Sequence, residues 1–201
     1  MSHPVPDLTQ AASPTRRRVL DAALALFSEQ GYFNTAIPHI VKRSGVSIGS
    51  IYHHFGDKQG IARALYADLL EGMDGALAAI CHQIPDARGQ ALAVVEYLFE
   101  QAERAPLATA FMLSTRHREF LPDEPPICSS QPFNRMRDIV SRGIARGEMH
   151  DGDPAVLAAA LFGGPLRLVQ LRLDHILPRP LPTYLVEAWE AAWLAVCNTR
   201  G

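Results

Sequence analysis

Ser47, Gly49, Ser50, Tyr52, His53, His54 and Lys58 crowd the second half of one run, TAIPHIVKRSGVSIGSIYHHFGDK, from Thr35 to Lys58. Their types and spacing do not suit nucleophilic or acid–base work. Hydroxyl, phenol, imidazole and ammonium groups gathered on one short segment are the donors and acceptors that contact phosphate oxygens and base edges. The chemistry to expect is non-covalent recognition of a nucleic acid.

The elements that must position these groups are legible in the same run. Thr35 has the side chain of an N-cap, a hydroxyl able to accept an orphan N–H, and Ile37, Ile40 and Val41 give the helix an apolar face. Pro38 then falls at the third helical position, still in the first turn, where its ring meets no helical carbonyl. Gly45 can end this helix in the left-handed conformation. Val46 packs under the turn and Ser47 caps the next helix. Ile51 and Phe55 turn inward together. Ser47, Gly49, Ser50, Tyr52, His53 and His54 remain on or near the outer surface, and the small Gly49 and Ser50 allow close approach to a major groove.

These residues resemble a known family. The run GVSIGSIYHHFGDKQGI is similar to the signature of TetR-type transcriptional regulators, G-V-S-x-G-[ST]-[LI]-Y-x-[HY]-F-x-[SD]-K-x-x-L. Upstream, RRRVLDAALALFSEQGYFNTAIPHIVKRSGV fits the family's first two helices, including the aromatic-Gly punctuation at Gly31 and the Thr at position 35. The resemblance covers residues 14 to 66; beyond them only length and helix count match. Pro38 departs from the pattern, which has a residue with an N–H at that place. The resemblance implies an all-α fold with a three-helix helix-turn-helix DNA-binding domain over 14–60 and a helical effector-binding and dimerisation domain over 61–201. It further implies that Ser47, Gly49, Ser50, Tyr52 and His53 lie in or beside the major groove. Phosphates then fall to Thr35, His54, Lys58, Arg16 and Arg17.

Composition narrows the class. The chain has 201 residues, 48% of them hydrophobic and 20% charged, which describes a soluble globular protein. Residues 1–13, rich in Pro, Ser, Thr and Gln, read as a flexible arm. Cys81, Cys128 and Cys197 are odd in number and lack metal-ligand spacing, so a reducing cytoplasm is the expected setting. No apolar run of about 20 residues is evident, so no membrane span is expected. Residues 1–60 hold six Lys/Arg, including both lysines of the chain, against four acids. That segment therefore carries +2 and the remainder −4, which together give the net charge of −2. A small basic head on an acidic body suits a specific DNA binder with modest electrostatic grip. Asp151-Gly152-Asp153 lacks the rest of a calcium loop. Adjacent His53 and His54 point apart, and no phosphate loop, nucleophile elbow or HExxH occurs. No enzyme activity, cofactor or metal is expected.

Helical periodicity continues to the end of the chain. Helices are expected near 15–30, 35–43, 47–54, 57–82, 87–104, 107–116, 130–147, 154–175 and 182–198, with a Pro-rich loop at 121–132. Asp57 should cap the long fourth helix. Pro165, after Gly163-Gly164, should kink the eighth. Two apolar stripes close the chain: Leu157, Leu161, Leu168 and Leu171, and Leu185, Trp189, Trp193 and Val196. A single domain could bury both. The resemblance instead implies a homodimer through Leu161, Leu168, Leu171, Leu185, Trp189 and Trp193, reading a palindromic double-stranded operator.

The resemblance also implies an apolar or aromatic small-molecule effector held among helices four to eight. Tyr66, Phe99, Met112, Phe120, Phe133, Met136 and Phe162 are candidates for its wall, although such residues serve equally as plain core. Arg167 could anchor an acidic group of the effector or lie exposed. The implied function is a one-component regulator, a repressor released from its operator by the effector. An activator, a regulator that needs ligand to bind DNA, and a ligand-binding or interaction protein without DNA function remain as alternatives.

Overall fold

A computed structural model of the chain describes residues 13–113 and 115–198. Of the expected arm over 1–13 only Ser13 falls among them; the rest lies outside the described residues. Nine helices and no strand occur among the described residues: α1 Pro14–Gln30, α2 Ile37–Ser44, α3 Ile48–Phe55, α4 Lys58–Gln83, α5 Ala87–Arg104, α6 Pro106–Leu113, α7 Gln131–Ala145, α8 Pro154–Leu173 and α9 Leu185–Leu194.

Side-chain caps set many of the starts. Ser13 accepts from Arg16 N at 3.3 Å, Asp57 from Gly60 N at 2.6 Å, Asp86 from Gly89 N at 2.7 Å and Asp153 from Ala155 N at 2.7 Å. Each satisfies one backbone donor that the helix itself leaves unpaired. Several ends differ from expectation. α6 stops at Leu113 rather than 116, and a 3₁₀ turn, His117–Glu119, follows. Two further 3₁₀ turns occur among the described residues, Ile127–Ser129 ahead of α7 and Leu181–Tyr184 ahead of α9. Beyond α9 the chain makes an isolated antiparallel bridge between Met149 and Cys197. α8 runs through Pro165 as one element, with the proline ring buried.

α4 is the axis of the molecule. It packs on α1 and α3 near its start and on α5, α6 and α7 along its length. Buried side chains from α1 to α9 join one apolar cluster, among them Phe27, Ile51, Ile61, Leu77, Phe99, Ile139, Leu161 and Trp189. Half-buried bidentate ion pairs fasten helices around it: Arg135 to Asp74 joins α7 to α4, and Arg172 to Glu103 joins α8 to α5. α8 corrects one expectation, being long and apolar enough to cross a membrane by length and composition. It is nevertheless a helix of the bundle, packed on α5, α7 and α9, with Arg167, Gln170 and Arg172 in its second half.

Candidate nucleic-acid interface

The helix pair α2–α3 is held from both sides. Gly45 closes α2 at φ 65°, and the Arg18 guanidinium of α1 donates to the Ser44 carbonyl at 2.6 Å. That guanidinium would also meet a Cβ at Gly45 at 2.8 Å, so glycine is required there for space as well as for its backbone angle. Ser47 caps α3 as expected, accepting from Ser50 N at 3.3 Å. Ile51 is buried and Phe55 packs against the core. His53 and Gly49 project opposite them by helical geometry, with Tyr52 and Ile48 on one flank and His54 and Ser50 on the other. Ser47, Ile48, Gly49, Tyr52, His53 and His54 are exposed and Ser50 is half-buried. A Cβ at Gly49 would meet nothing within 4 Å, so this part of the helix is open to a groove.

Sequence reasoning passed over Ile48 because it assigned apolar residues inward. Its place in the first turn of α3, beside the Ser47 cap and 48% exposed, is what turns it to the surface. An exposed apolar group there suits a thymine methyl. Lys42 and Arg43 were also passed over as contacts. They occupy the last turn of α2, exposed, with Arg43 paired to Glu29 at 2.6 Å.

Three expected phosphate contacts are turned to other work. Thr35 does not cap α2; Ala36 does, and His39 Nδ1 accepts from Ala36 N at 3.3 Å. The Thr35 side chain is 1% exposed and donates to the Gly31 carbonyl at 2.9 Å, because burial beneath the α1–α2 elbow leaves that carbonyl as its partner. Pro38 consequently falls one place earlier than expected, at the second helical position, where its missing N–H leaves no helical bond unmade. Arg16 forms a bidentate pair with Asp68 of α4 at 2.5 and 2.7 Å. Lys58 donates to the Tyr32 and Thr35 carbonyls at 2.9 and 2.8 Å and lies 4.2 Å from the Tyr32 ring centroid. Burial lowers its pKa. Lys58 is thus a clamp between the start of α4 and the α1–α2 elbow. Arg17 remains exposed, paired with Asp21 at 3.0 Å.

Behind this head lies an aromatic cluster. Tyr32 of the elbow stacks on Phe120 with centroids 4.1 Å apart, and Gln59 of α4 donates to the Phe120 carbonyl at 2.9 Å. Phe120 lies beside His117 at 5.8 Å, and His117 stacks on Tyr66 of α4 at 4.0 Å. Tyr66, Met112, His117 and Ile127 belong to the wall of a cavity of about 340 Å³. Of the proposed effector residues, Tyr66 and Met112 are therefore in its wall and Phe120 adjoins it. Phe99, Met136 and Phe162 are buried in the general core, and Phe133 packs half-buried against it. Arg167 is exposed on α8 and donates to Gln170 Oε1 at 3.1 Å. His117 was missed: its neighbours in the sequence, RHREF, look like a polar surface segment. A larger, more polar depression of about 650 Å³ lies at the far end of α4, where Arg135 is held by Asp74 and Arg142 by Gln90.

Residues 19–65 match the family model for bacterial regulatory proteins, tetR family. The chain is a TetR-type transcriptional regulator. It is similar along most of its length to the HTH-type transcriptional regulator BetI of Klebsiella pneumoniae, 28% identical over 183 residues covering 83% of this chain and 94% of BetI. BetI of Escherichia coli O17:K52:H18 is 28% identical over 184 residues, 84% of this chain and 94% of that protein. In fold it resembles the fatty acid degradation regulator FadR from Bacillus halodurans, with TM-score 0.80 at 17% identity over 92% of this chain and 97% of that one. It also resembles FadR from Bacillus subtilis in complex with stearoyl-CoA, TM-score 0.75 at 21% identity over 88% and 96% of the two chains.

In the last two helices of this TetR-type regulator two of the expected dimer residues are buried and four are partly open. Leu161 and Trp189 are buried in the protomer's own core, Trp193 stacks on Trp189 at 5.4 Å, and Leu168, Leu171 and Leu185 are half-buried. Bulky apolar residues serve the core because they remove the most area from water. The exposed residues there are mostly small or aliphatic, Val156 (64% exposed), Ala159, Ala160, Gly163 and Gly164 on α8 with Val186, Ala191 and Leu194 (70% exposed) on α9, interspersed with the charged Arg167, Glu187 and Glu190.

Proposed function

We propose that this regulator is a repressor that leaves its operator when a small molecule fills the cavity beside His117. It acts in the cytoplasm as a homodimer. Residues 14–60 of each protomer read one half-site, and residues 61–201 hold the effector and the partner. The observation that carries this reading is the ring contact that joins the cavity wall to the head. His117 lines the cavity and lies beside Phe120 at 5.8 Å, Phe120 stacks on Tyr32 at 4.1 Å, and Lys58 fastens the same elbow to the first turn of α4. A ligand that displaces the 117–120 segment moves the support of the α1–α2 elbow, and with it the spacing of the two α3 helices. It shifts the equilibrium only by its different affinity for the two arrangements.

On DNA, His53, Gly49, Ser50 and Tyr52 face the groove with Ile48 and Ser47. His54, Arg17 and Lys42 meet phosphates, which set register rather than sequence. The exposed apolar residues of α8 and α9, Val156, Val186 and Leu194 among them, support pairing, since a cluster of exposed apolar groups marks an interaction site. A two-fold pair reads half-sites about one helical turn, or a multiple, apart. The FadR neighbour solved with stearoyl-CoA shows that a body of this fold takes up a small molecule in that protein. Selection of binding sites from random duplex DNA tests the reading. It should return a two-fold-symmetric sequence; a one-part motif, or no enrichment, overturns it.

A further inference from the structure

His117 combines three properties rarely found together. It is only 8% exposed, it belongs to the wall of the 340 Å³ cavity, and its Nε2 has no hydrogen-bond partner among the described residues. Buried polar atoms of native proteins are nearly always paired, so a bare one beside an empty space asks for a partner. Burial holds the imidazole pKa down at about 4, against the opposing pull of a hydrogen bond to the Phe111 backbone. The ring is therefore neutral at physiological pH. With Nε2 unpaired, the pull of the Phe111 backbone falls to Nδ1, to which we assign the proton. In a neutral imidazole the other nitrogen is then a lone-pair acceptor.

The surroundings limit what can approach that lone pair. Tyr66, Met112, Leu113, Pro126 and Ile127 make most of the wall apolar, while Arg116, Arg118 and Glu119 line it from exposed positions, Arg116 paired with Glu119 at 3.5 Å. The Tyr66 ring stacked on His117 at 4.0 Å and the Phe111 ring edge-on at 5.0 Å fix the imidazole plane. An anion at Nε2 would face a lone pair and lose its hydration. An ammonium would lose its hydration too, beside two arginines and a glutamate already paired with one of them.

We propose that the effector is an uncharged molecule with an aromatic or compact apolar body and one hydrogen-bond donor, an alcohol, phenol or amide N–H, given to His117 Nε2. This rests on reading the cavity as the effector site, but it concerns what binds there and can be tested without DNA. The effector's donor pairs the orphaned acceptor, and its apolar body covers the Tyr66 and Met112 walls. A molecule of the same shape without the donor leaves Nε2 bare, and a charged one adds a desolvation cost.

The test is calorimetric titration of the full-length protein with 2-naphthol, 2-naphthoate, 2-naphthylmethylammonium and 2-methylnaphthalene. 2-Naphthol should bind at least about fivefold more tightly than each of the others, the worth of one ordinary hydrogen bond. His117→Phe should abolish its advantage over 2-methylnaphthalene, and His117→Gln, which keeps an acceptor, should restore part of it. If the variants fold poorly, the ¹⁵N resonance of the wild-type His117 Nε2 should shift toward that of a hydrogen-bonded nitrogen on adding 2-naphthol, with Nδ1 little changed. Preference for a charged probe, no binding of any probe up to its solubility, or binding that leaves Nε2 unmoved overturns the proposal. Operator release, followed separately by fluorescence anisotropy of labelled DNA, tests the regulatory reading: 2-naphthol that binds through His117 without releasing DNA refutes that reading and leaves the ligand assignment standing.

Discussion

In the head, the groups proposed to meet DNA stand outside, and Lys58 is turned inward onto two carbonyls. In the body the working groups are enclosed or apolar: a buried imidazole beside a cavity, and an outer face of alanine, glycine and valine on α8. The head depends on water-exposed polar chemistry held by a rigid turn. The body depends on space, both the space inside its wall and the space another molecule can fill against it. Substitutions of the same chemical size should consequently act through different observables in the two regions.

The largest effect should come from the outer face of α8. Ala160→Glu leaves the protomer core untouched but places a carboxylate twice at a two-fold apolar interface. An unpaired buried charge costs about 3 kcal/mol or more, roughly a hundredfold or greater in the dimer dissociation constant. Sedimentation should show monomer at micromolar concentration; an unchanged dimer would remove α8 from the interface and with it the contrast drawn for the body.

The buried imidazole should next reveal itself through pH. The unfolded chain protonates His117 as pH falls below 6.5, whereas the folded chain does so only near 4. Stability attributable to this residue is therefore present above pH 6.5 and is lost as pH falls toward 4, on the order of 3 kcal/mol at most. Urea denaturation at several pH values should show that part of the slope vanish in His117→Phe.

At the junction of head and body, Gly60 sits where a Cβ would lie 1.8 Å from the Phe55 carbonyl oxygen. Gly60→Ala should cost about 1–3 kcal/mol through forced displacement of backbone. It should lower the melting temperature and operator affinity together, since α3 ends at that carbonyl. Loss of one without the other would mean that α3 is not set by the start of α4.

The smallest effect separates a clamp from a contact. Arg17→Ala should lower the slope of log affinity against log salt by about one unit. Lys58→Met should weaken operator binding while leaving that slope unchanged. A lower slope for Lys58→Met would put its ammonium on a phosphate and undo the inward assignment.

The head was legible in the sequence because its determinants are local. Ser47, Gly45, Ile51 and Phe55 act on neighbours within a few residues, and a cap, a left-handed glycine and an inward pair behave alike in almost any fold. The same reasoning failed where a tertiary partner competed. Thr35 had the right type for a cap, but the buried Gly31 carbonyl took its hydroxyl, and Arg16 was taken by Asp68, far along the chain. In the body, periodicity found the helices but not which side of α8 faces out, because apolar residues occur all around it. Bulky Leu161 and Trp189 drew attention that belonged to Ala160 and Gly163. His117 carried no sequence signal, since only the fold brings Tyr66 and Phe111 to its ring.

The central claim is that the cavity wall at His117 is joined to the head through Phe120 and Tyr32. Its direct measurement is the affinity of 2-naphthol for the free protein and for the operator complex, in wild type and in Phe120→Leu. In wild type the complex should bind the probe more weakly, by the same factor by which the probe weakens operator binding. In Phe120→Leu, which keeps apolar bulk but loses the stack on Tyr32, that factor should fall toward one. Equal probe affinity for free and operator-bound wild-type protein, or a factor untouched by Phe120→Leu, would contradict it.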